Sequence, residues 1–317
     1  MNAVALLLGS AIALSALAQD YPSRPIRVVV PYSAGGSSDG PMRVIAQEMS
    51  KQLGQQMVVE NKPGQGAMIG SADVVKAPPD GYTLLLASNP NAISPSLYSK
   101  LTHDPVEDFA PISLLASEQA VLLVHPSVPV KTVQELIAYA RQRPGKLDYS
   151  SSGNGSAQHL FMAMFTSMAG IELNHIPYKG SAQAVTDLLG GQVAAAMPGL
   201  AAMRSHIKEG RARALAVTGA RRSPAVPDVP TMIESGVKGY ELYVWMGMLA
   251  PKGTPAPVIE RLHREFVSAL RAPAVKSFMD AAAIEPVGST PAEFGAFFHE
   301  ERARWAKIVR ETGARID

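Results

Sequence analysis

Twice along this chain a short strand-like run leads into a turn dense in glycine and serine and then into a helical pattern. Few folds accommodate that order. Residues 26–32 read Ile-Arg-Val-Val-Val-Pro-Tyr, a buried strand by its β-branched run, and beyond the turn Met42, Ile45, Ala46, Met49 and Leu53 recur at helical spacing. The second unit has a strand around residues 147–150, the turn Ser150-Ser-Ser-Gly-Asn-Gly-Ser156 and a helix over 157–169. Further strands are expected at 57–60, 82–87, 175–176, 193–197 and 212–217, with helices over 69–76, 133–143 and 182–189. This alternation predicts an α/β protein whose parallel sheets are covered by helices.

Two apolar segments do not fit a simple series. Residues 89–111 read as irregular, and residues 112–124 then form a long strand interrupted by Ser117-Glu-Gln119 and closed by Pro126. We read this as a crossing between two lobes, with residues 243–250 as the return. The tail has one short strand candidate, 284–287, so its helices, beginning near Pro255, Ala274 and Pro291, are expected to pack back on the first lobe. The predicted division is therefore discontinuous: residues 19–120 with 246–317 as lobe one, and 121–245 as lobe two. A chain of 317 residues is long enough for two cores. Thr132-Val-Gln-Glu135 and Thr290-Pro-Ala-Glu293 are capping boxes for two of the helices.

The first eighteen residues form an uncharged apolar run ending in Ala16-Leu-Ala18, the small-x-small form of a signal-peptidase site, although no basic residue precedes it. A secreted, periplasmic protein beginning near Gln19 is expected. No other stretch is apolar over the ~20 residues of a membrane span. Cysteine is absent, which excludes disulfides, thiolate metal sites and cysteine nucleophiles. The formal charge is +2 with signs interspersed, so no basic stripe marks a nucleic-acid surface. The seven histidines show no metal-ligand spacing, so no metal site is expected.

The turn Pro31-Tyr-Ser-Ala-Gly-Gly-Ser-Ser-Asp39 stands between a strand and a helix, where free backbone N–H groups and the helix dipole favour an anion. It is either a carboxylate cradle or an ordinary tight turn. Asp39 is placed to cap the helix, with Arg43 four residues on as an ion-pair partner. No Gly-Lys-Ser/Thr follows, and the glycine spacing is wrong for a dinucleotide. Gly36-Ser-Ser38-Asp-Gly40 does match a nucleophile elbow, which keeps open a serine hydrolase using Ser38 with His159 or His175 and Asp187. Against it, the elbow follows the first strand, whereas in hydrolases several strands precede it. The second glycine turn would face the first across the lobes. His159 in its helix can reach the cleft or simply pack, Lys179 can neutralise an anion or be solvated, and Trp245 on the return crossing can sense closure or pack.

Across the mature chain these residues occur in ordered company: Tyr21-Pro-Ser-Arg-Pro-Ile-Arg, Gly35-Gly36 with Asp39 and Arg43, Val59-Glu-Asn-Lys-Pro-Gly64, Pro79-Asp-Gly-Tyr-Thr-Leu84, Gly153-Asn-Gly-Ser156 with His159, Pro177-Tyr-Lys-Gly180, Asp187-Leu-Leu-Gly-Gly191 and Ala250-Pro-Lys-Gly-Thr-Pro255. In this the chain resembles the Bug-type extracytoplasmic solute receptors of tripartite tricarboxylate transporters. The resemblance implies a two-lobed periplasmic-binding-protein (Venus-flytrap) fold, each lobe a Rossmann-like sheet flanked by helices. It implies a monomer that binds a small carboxylate, with two integral membrane transporter subunits as partners, no nucleic acid, no cofactor and no covalent chemistry. It carries the ligand-binding role to Ser33, Gly35, Gly36, Ser37, Asp39, Asn89, Ser152, Gly155, Ser156 and His159. One departure stands out: Pro198-Gly199 occupies a place where related receptors often carry Phe-Asp or another polar pair. A ligand without an amino group is expected from that loss: a dicarboxylate, hydroxy acid or aromatic acid. A periplasmic sensor serving a signalling partner would share the same clamshell.

Overall fold

The computed structural model describes residues 21–35 and 38–312. The expected signal segment, Gly36 and Ser37 lie outside the described residues.

The chain opens with β1 (Ile26–Val30), α1 (Asp39–Leu53), β2 (Met57–Asn61), α2 (Met68–Val75) and β3 (Thr83–Ser88). β1 lies between β2 and β3 and runs parallel to both. Ile26, Val28, Val29 and Val30 are all fully buried, because helices cover both faces of this sheet. The helical spacing read in α1 is its buried face: Met42, Ile45, Ala46, Met49 and Leu53 all point inward, and Gly54 ends the helix in the left-handed conformation. The stretch read as irregular after residue 88 begins with a helix, α3 (Asn89–Leu97). Pro90 and Pro95 hide it in the sequence, but Pro90 sits in the first turn, where its missing N–H costs no helical bond.

β4 (Phe109–Gln119) passes through Ser117-Glu-Gln119 without interruption; the break falls at Ala120. β5 (Val121–Val124) then belongs to a second sheet. The return strand β10 (Tyr243–Pro251) pairs antiparallel with β4 over its whole length, from Tyr243 opposite Gln119 to Pro251 opposite Phe109. Sheet one has the order β11-β4-β10-β3-β1-β2, where β11 is Glu285–Pro286.

Sheet two is built from β6 (Asp148–Ser151), β7 (Asn174–Pro177), β8 (Ala195–Ala196) and β9 (Arg213–Val217) around β5, in the order β7-β6-β8-β5-β9. Its helices are α4 (Val133–Arg141), α5 (Ala157–Ala169), α6 (Ser181–Leu189) and α7 (Leu200–Lys208), the last unanticipated. Both sheets are mixed, not parallel as the alternation predicted. The crossing strands impose this: β10 enters sheet one against the direction of β3, and β5 enters sheet two against β8.

After β10 come α8 (Ala256–Arg271), α9 (Pro273–Ala282) and α10 (Pro291–Thr312). α8 and α9 pack on α1. α10 lies on α3 and β4 but also reaches α5 of the second lobe, where Phe161 stacks on Trp305 with centroids 5.7 Å apart. The buried carboxylate of Glu301 accepts both the Trp245 and Trp305 indole N–H groups at 3.0 Å. Trp245 is enclosed by Phe294, Phe297 and Phe298, so on the return crossing it is a packing residue.

Candidate functional site: two glycine turns across an interlobe cleft

The first turn is held from below by Asp39. Its side chain is 4% exposed and every near contact is a donor: Gly35 N–H and Arg43 Nε each reach Oδ2 at 2.9 Å, and Asn61 Nδ2 reaches Oδ1 at 2.9 Å. Burial pushes this carboxyl towards protonation, but the Arg43 guanidinium and the Gly35 and Asn61 donors outweigh it and hold the group below its ordinary range. Asn61 also donates to the Tyr32 carbonyl at 3.0 Å and accepts Arg43 at 2.7 Å. Asp39 is thus the first helical residue, with Ser38 before it at the cap position, and its charge shapes the turn. Gly35 needs its glycine: its φ is +74°.

The second turn uses the same device with different chemistry. Gly155 N–H donates to His159 Nδ1 at 3.1 Å, again from four residues back, which places the ring proton of neutral His159 on Nε2. Ser156 caps α5 by accepting the His159 amide at 3.3 Å. The His159 ring lies flat on His175, 4.0 Å away, and His175 Nε2 meets the Ser151 hydroxyl at 2.6 Å. Burial pulls both imidazoles down to about 4, and at His175 the neighbouring His159 adds to the effect. Both are neutral at ordinary pH and neither offers a cation.

Between the lobes lies a cleft of about 570 Å³. Ser33, Ser38 and Ser88 line it from lobe one, and Ser152, Ser156 and Lys179 from lobe two. Gly35 and Asp39 stand behind the first turn, Gly155 and His159 behind the second. Asn89 is fully buried away from the cleft, donating to the Tyr243 carbonyl at 3.0 Å and accepting Trp245 N–H at 3.2 Å, so it ties α3 to the return strand. Gly36 and Ser37 are outside the described residues.

Sequence reasoning missed a third wall. The turn from β2 to α2 lines the cleft through Pro63, Gly64, Gln65, Gly66 and Ala67, and Gln65 and Ala67 hold φ of +45° and +76°, strained values for residues with a Cβ. The signal was present: Lys62-Pro-Gly-Gln-Gly66 is one more glycine-rich strand-to-helix turn. Glu118 was missed as well. It lines the cleft from β4, and a Cβ at Gly199 would collide with its carboxyl group, so an acid does stand beside position 199, supplied by a different strand.

The nucleophile-elbow reading finds no geometry. Ser38 is on lobe one, while His159 and His175 sit on lobe two with their ring nitrogens turned to Gly155 and Ser151; among the described residues no histidine bonds to Ser38.

The chain is matched over residues 42–314 by the tripartite tricarboxylate transporter family receptor model. It is 40% identical to protein BugT of Bordetella pertussis over 307 residues, 96% of this chain and 94% of that one. Among solved structures, a protein of R. palustris bound to adipate superposes with TM-score 0.88 at 36% identity, covering 94% of this chain and all of the other. The periplasmic binding protein BugD follows with TM-score 0.86 at 36% identity, over 93% of this chain and all of the other. MatC of Rhodopseudomonas palustris with bound malate gives 0.84 at 30% identity, over 91% of this chain and all of the other. With its two sheets, paired crossing strands and interlobe cleft, this chain belongs to the tripartite tricarboxylate transporter receptor family: a Venus-flytrap solute receptor, not an enzyme.

Proposed function

We propose that the protein binds a small dicarboxylate or hydroxy acid between its lobes in the periplasm and delivers it to two integral membrane transporter subunits. The observation that carries this reading is the pair of serine- and glycine-rich turns, each opening a helix, that line one cleft from opposite lobes. An extended acid held at both ends fits that arrangement, and relatives of similar fold hold adipate and malate. Ser33, Gly36, Ser37, Ser152 and Ser156 are the direct contacts in this proposal. Gly35, Asp39, Asn89, Gly155 and His159 act by positioning the turns and the hinge. The lobes divide near Ala120 and at the return strand, as 19–120 with 246–317 against 121–245, and the apolar run before Gln19 exports the chain.

Calorimetric titration of protein unfolded and refolded to strip carried-over ligand, against mono-, di- and tricarboxylates, aromatic acids and amino acids, tests the binding step. One saturable acid, weakened at least about tenfold in Ser33→Ala/Ser152→Ala, is expected. Saturable binding of amino acids with no response to simple acids would refute the ligand class. Pull-down from detergent extracts should recover the two transporter subunits; recovery of a sensor kinase instead would replace uptake by signalling.

A further inference from the structure

Glu118 sits where the two lobes meet, two residues before the chain leaves sheet one for sheet two at Ala120. The facing segment is anchored at the same point: Gly199 bridges Ala120, and the Pro198 carbonyl accepts Val121 N–H at 2.9 Å. Glu118 Oε2 accepts the Ala201 amide at 3.1 Å, one of the first-turn N–H groups that α7 leaves without an intrahelical partner. Oε1 turns towards Gly199, and only a glycine leaves it room. Glu118 and Gly199 both line the cleft, which puts the carboxyl group at the cleft wall beside Gly199.

The residue is 7% exposed and, among the described residues, forms no ion pair. It also lines a second cavity together with Arg204, Arg221, Arg222, Tyr243, Asp280 and Glu285, and it shares the interlobe cleft with Lys179. None of them bonds to it: Arg204 donates to the Ala281 carbonyl and Arg222 pairs with Glu234. Burial therefore pushes the carboxyl up to about 7, against the opposing pull of the Ala201 amide. A neutral carboxylic acid keeps one oxygen as acceptor and offers an O–H donor on the other, which an ionised carboxylate cannot do.

We propose that Glu118 reads the solute: as a neutral acid it donates a hydrogen bond to a ligand carboxylate beside Gly199, so that binding requires Glu118 to be protonated. This rests on the reading of the cleft as a carboxylate site and adds to it a specificity residue and a pH dependence. It also explains how a cleft containing an acid can favour ligands without an amino group.

The test is calorimetry with adipate and with malate from about pH 6 to about pH 8.5, a range in which ligand carboxylates are ionised and His159 and His175 stay neutral. Wild-type affinity should weaken above about pH 7, approaching tenfold per pH unit, whereas Glu118→Gln, whose amide donates at every pH, should bind with no such fall. Gly199→Ala, whose methyl displaces Oε1, should lose about tenfold at pH 6, and thermal unfolding of both variants checks that they are folded. Wild-type affinity that is flat with pH and indifferent to Glu118→Gln would overturn the proposal while leaving the receptor reading intact. So would affinity that rises with pH and vanishes in Glu118→Gln, which would make Glu118 an ionised partner for a ligand cation. If neither these two acids nor any other in the panel binds at any pH, the carboxylate reading itself fails and the proposal goes with it.

Discussion

The two glycine turns are built to one plan and held by different forces. In each, the side chain four residues after a turn glycine reaches back from the helix to take that glycine's N–H: Asp39 for Gly35, His159 for Gly155. In lobe one the acceptor is an ion surrounded by three donors, one of them cationic. In lobe two it is a neutral ring held by stacking on a second ring. Glycine turns of this kind thus need a rigid acceptor behind them more than a particular charge, and the two lobes should fail under different conditions.

The comparison breaks most sharply at Asp39. Asp39→Ala strands Gly35, Asn61 and Arg43, and we expect about 3 kcal/mol of lost stability with ligand affinity down more than about tenfold. Chemical denaturation and calorimetry measure both, and a loss below about 1 kcal/mol would mean the turn holds itself. Next in size is Glu301→Ala on the bridging helix α10. It leaves two buried indole donors unpaired and should cost about 2 kcal/mol, while Glu301→Gln, which keeps an acceptor, should cost less. If denaturation then splits into two transitions, α10 is what couples the lobes.

Acid should separate the turns in sequence. The histidines have folded pKa values below the unfolded one, so the stability they lend is complete above about 6.5 and is lost as pH falls from there to about 4. After discounting for partial exposure this is about 1–2 kcal/mol per ring. Asp39, also depressed, gives up its contribution only at lower pH, as the solution falls below the ordinary Asp range. Melting of His159→Gln/His175→Gln against wild type should remove the first phase and leave the second; an unchanged first phase would assign it elsewhere. The smallest effect lies in the caps. Ser156→Ala should cost about 1 kcal/mol, because the hydroxyl accepts the His159 amide, and Ser38→Ala only a few tenths, because Ser38 makes no cap bond. Equal losses would show that the two helix starts are alike after all.

The elements were legible in the residues wherever the signal was local. Met42 to Leu53 predicted the buried face of α1, and the helix expected over 157–169 is α5 with the same ends. α3 was not legible because Pro90 and Pro95 imitate a loop, and β8 is two residues long where five were expected. At the site, Ser33, Ser152 and Ser156 line the cleft as expected of turn residues, while the roles of Asp39, Asn89 and His159 depend on partners no local pattern displays.

By itself the sequence determined the repeating strand, turn and helix, the places where only glycine fits, and the two apolar segments that cross between lobes. These follow from backbone sterics and from which faces can be hydrated, properties of residues within a turn or two of one another. Tertiary structure alone decided that the sheets are mixed, that α10 spans both lobes, and which polar groups face the cleft and which are consumed as scaffold. The reason is distance along the chain. Asp39 is satisfied by Asn61, Asn89 by Tyr243, and Glu118 by Ala201, pairs 22, 154 and 83 residues apart: the first two meet once sheet one has formed, the third only when both lobes are in place.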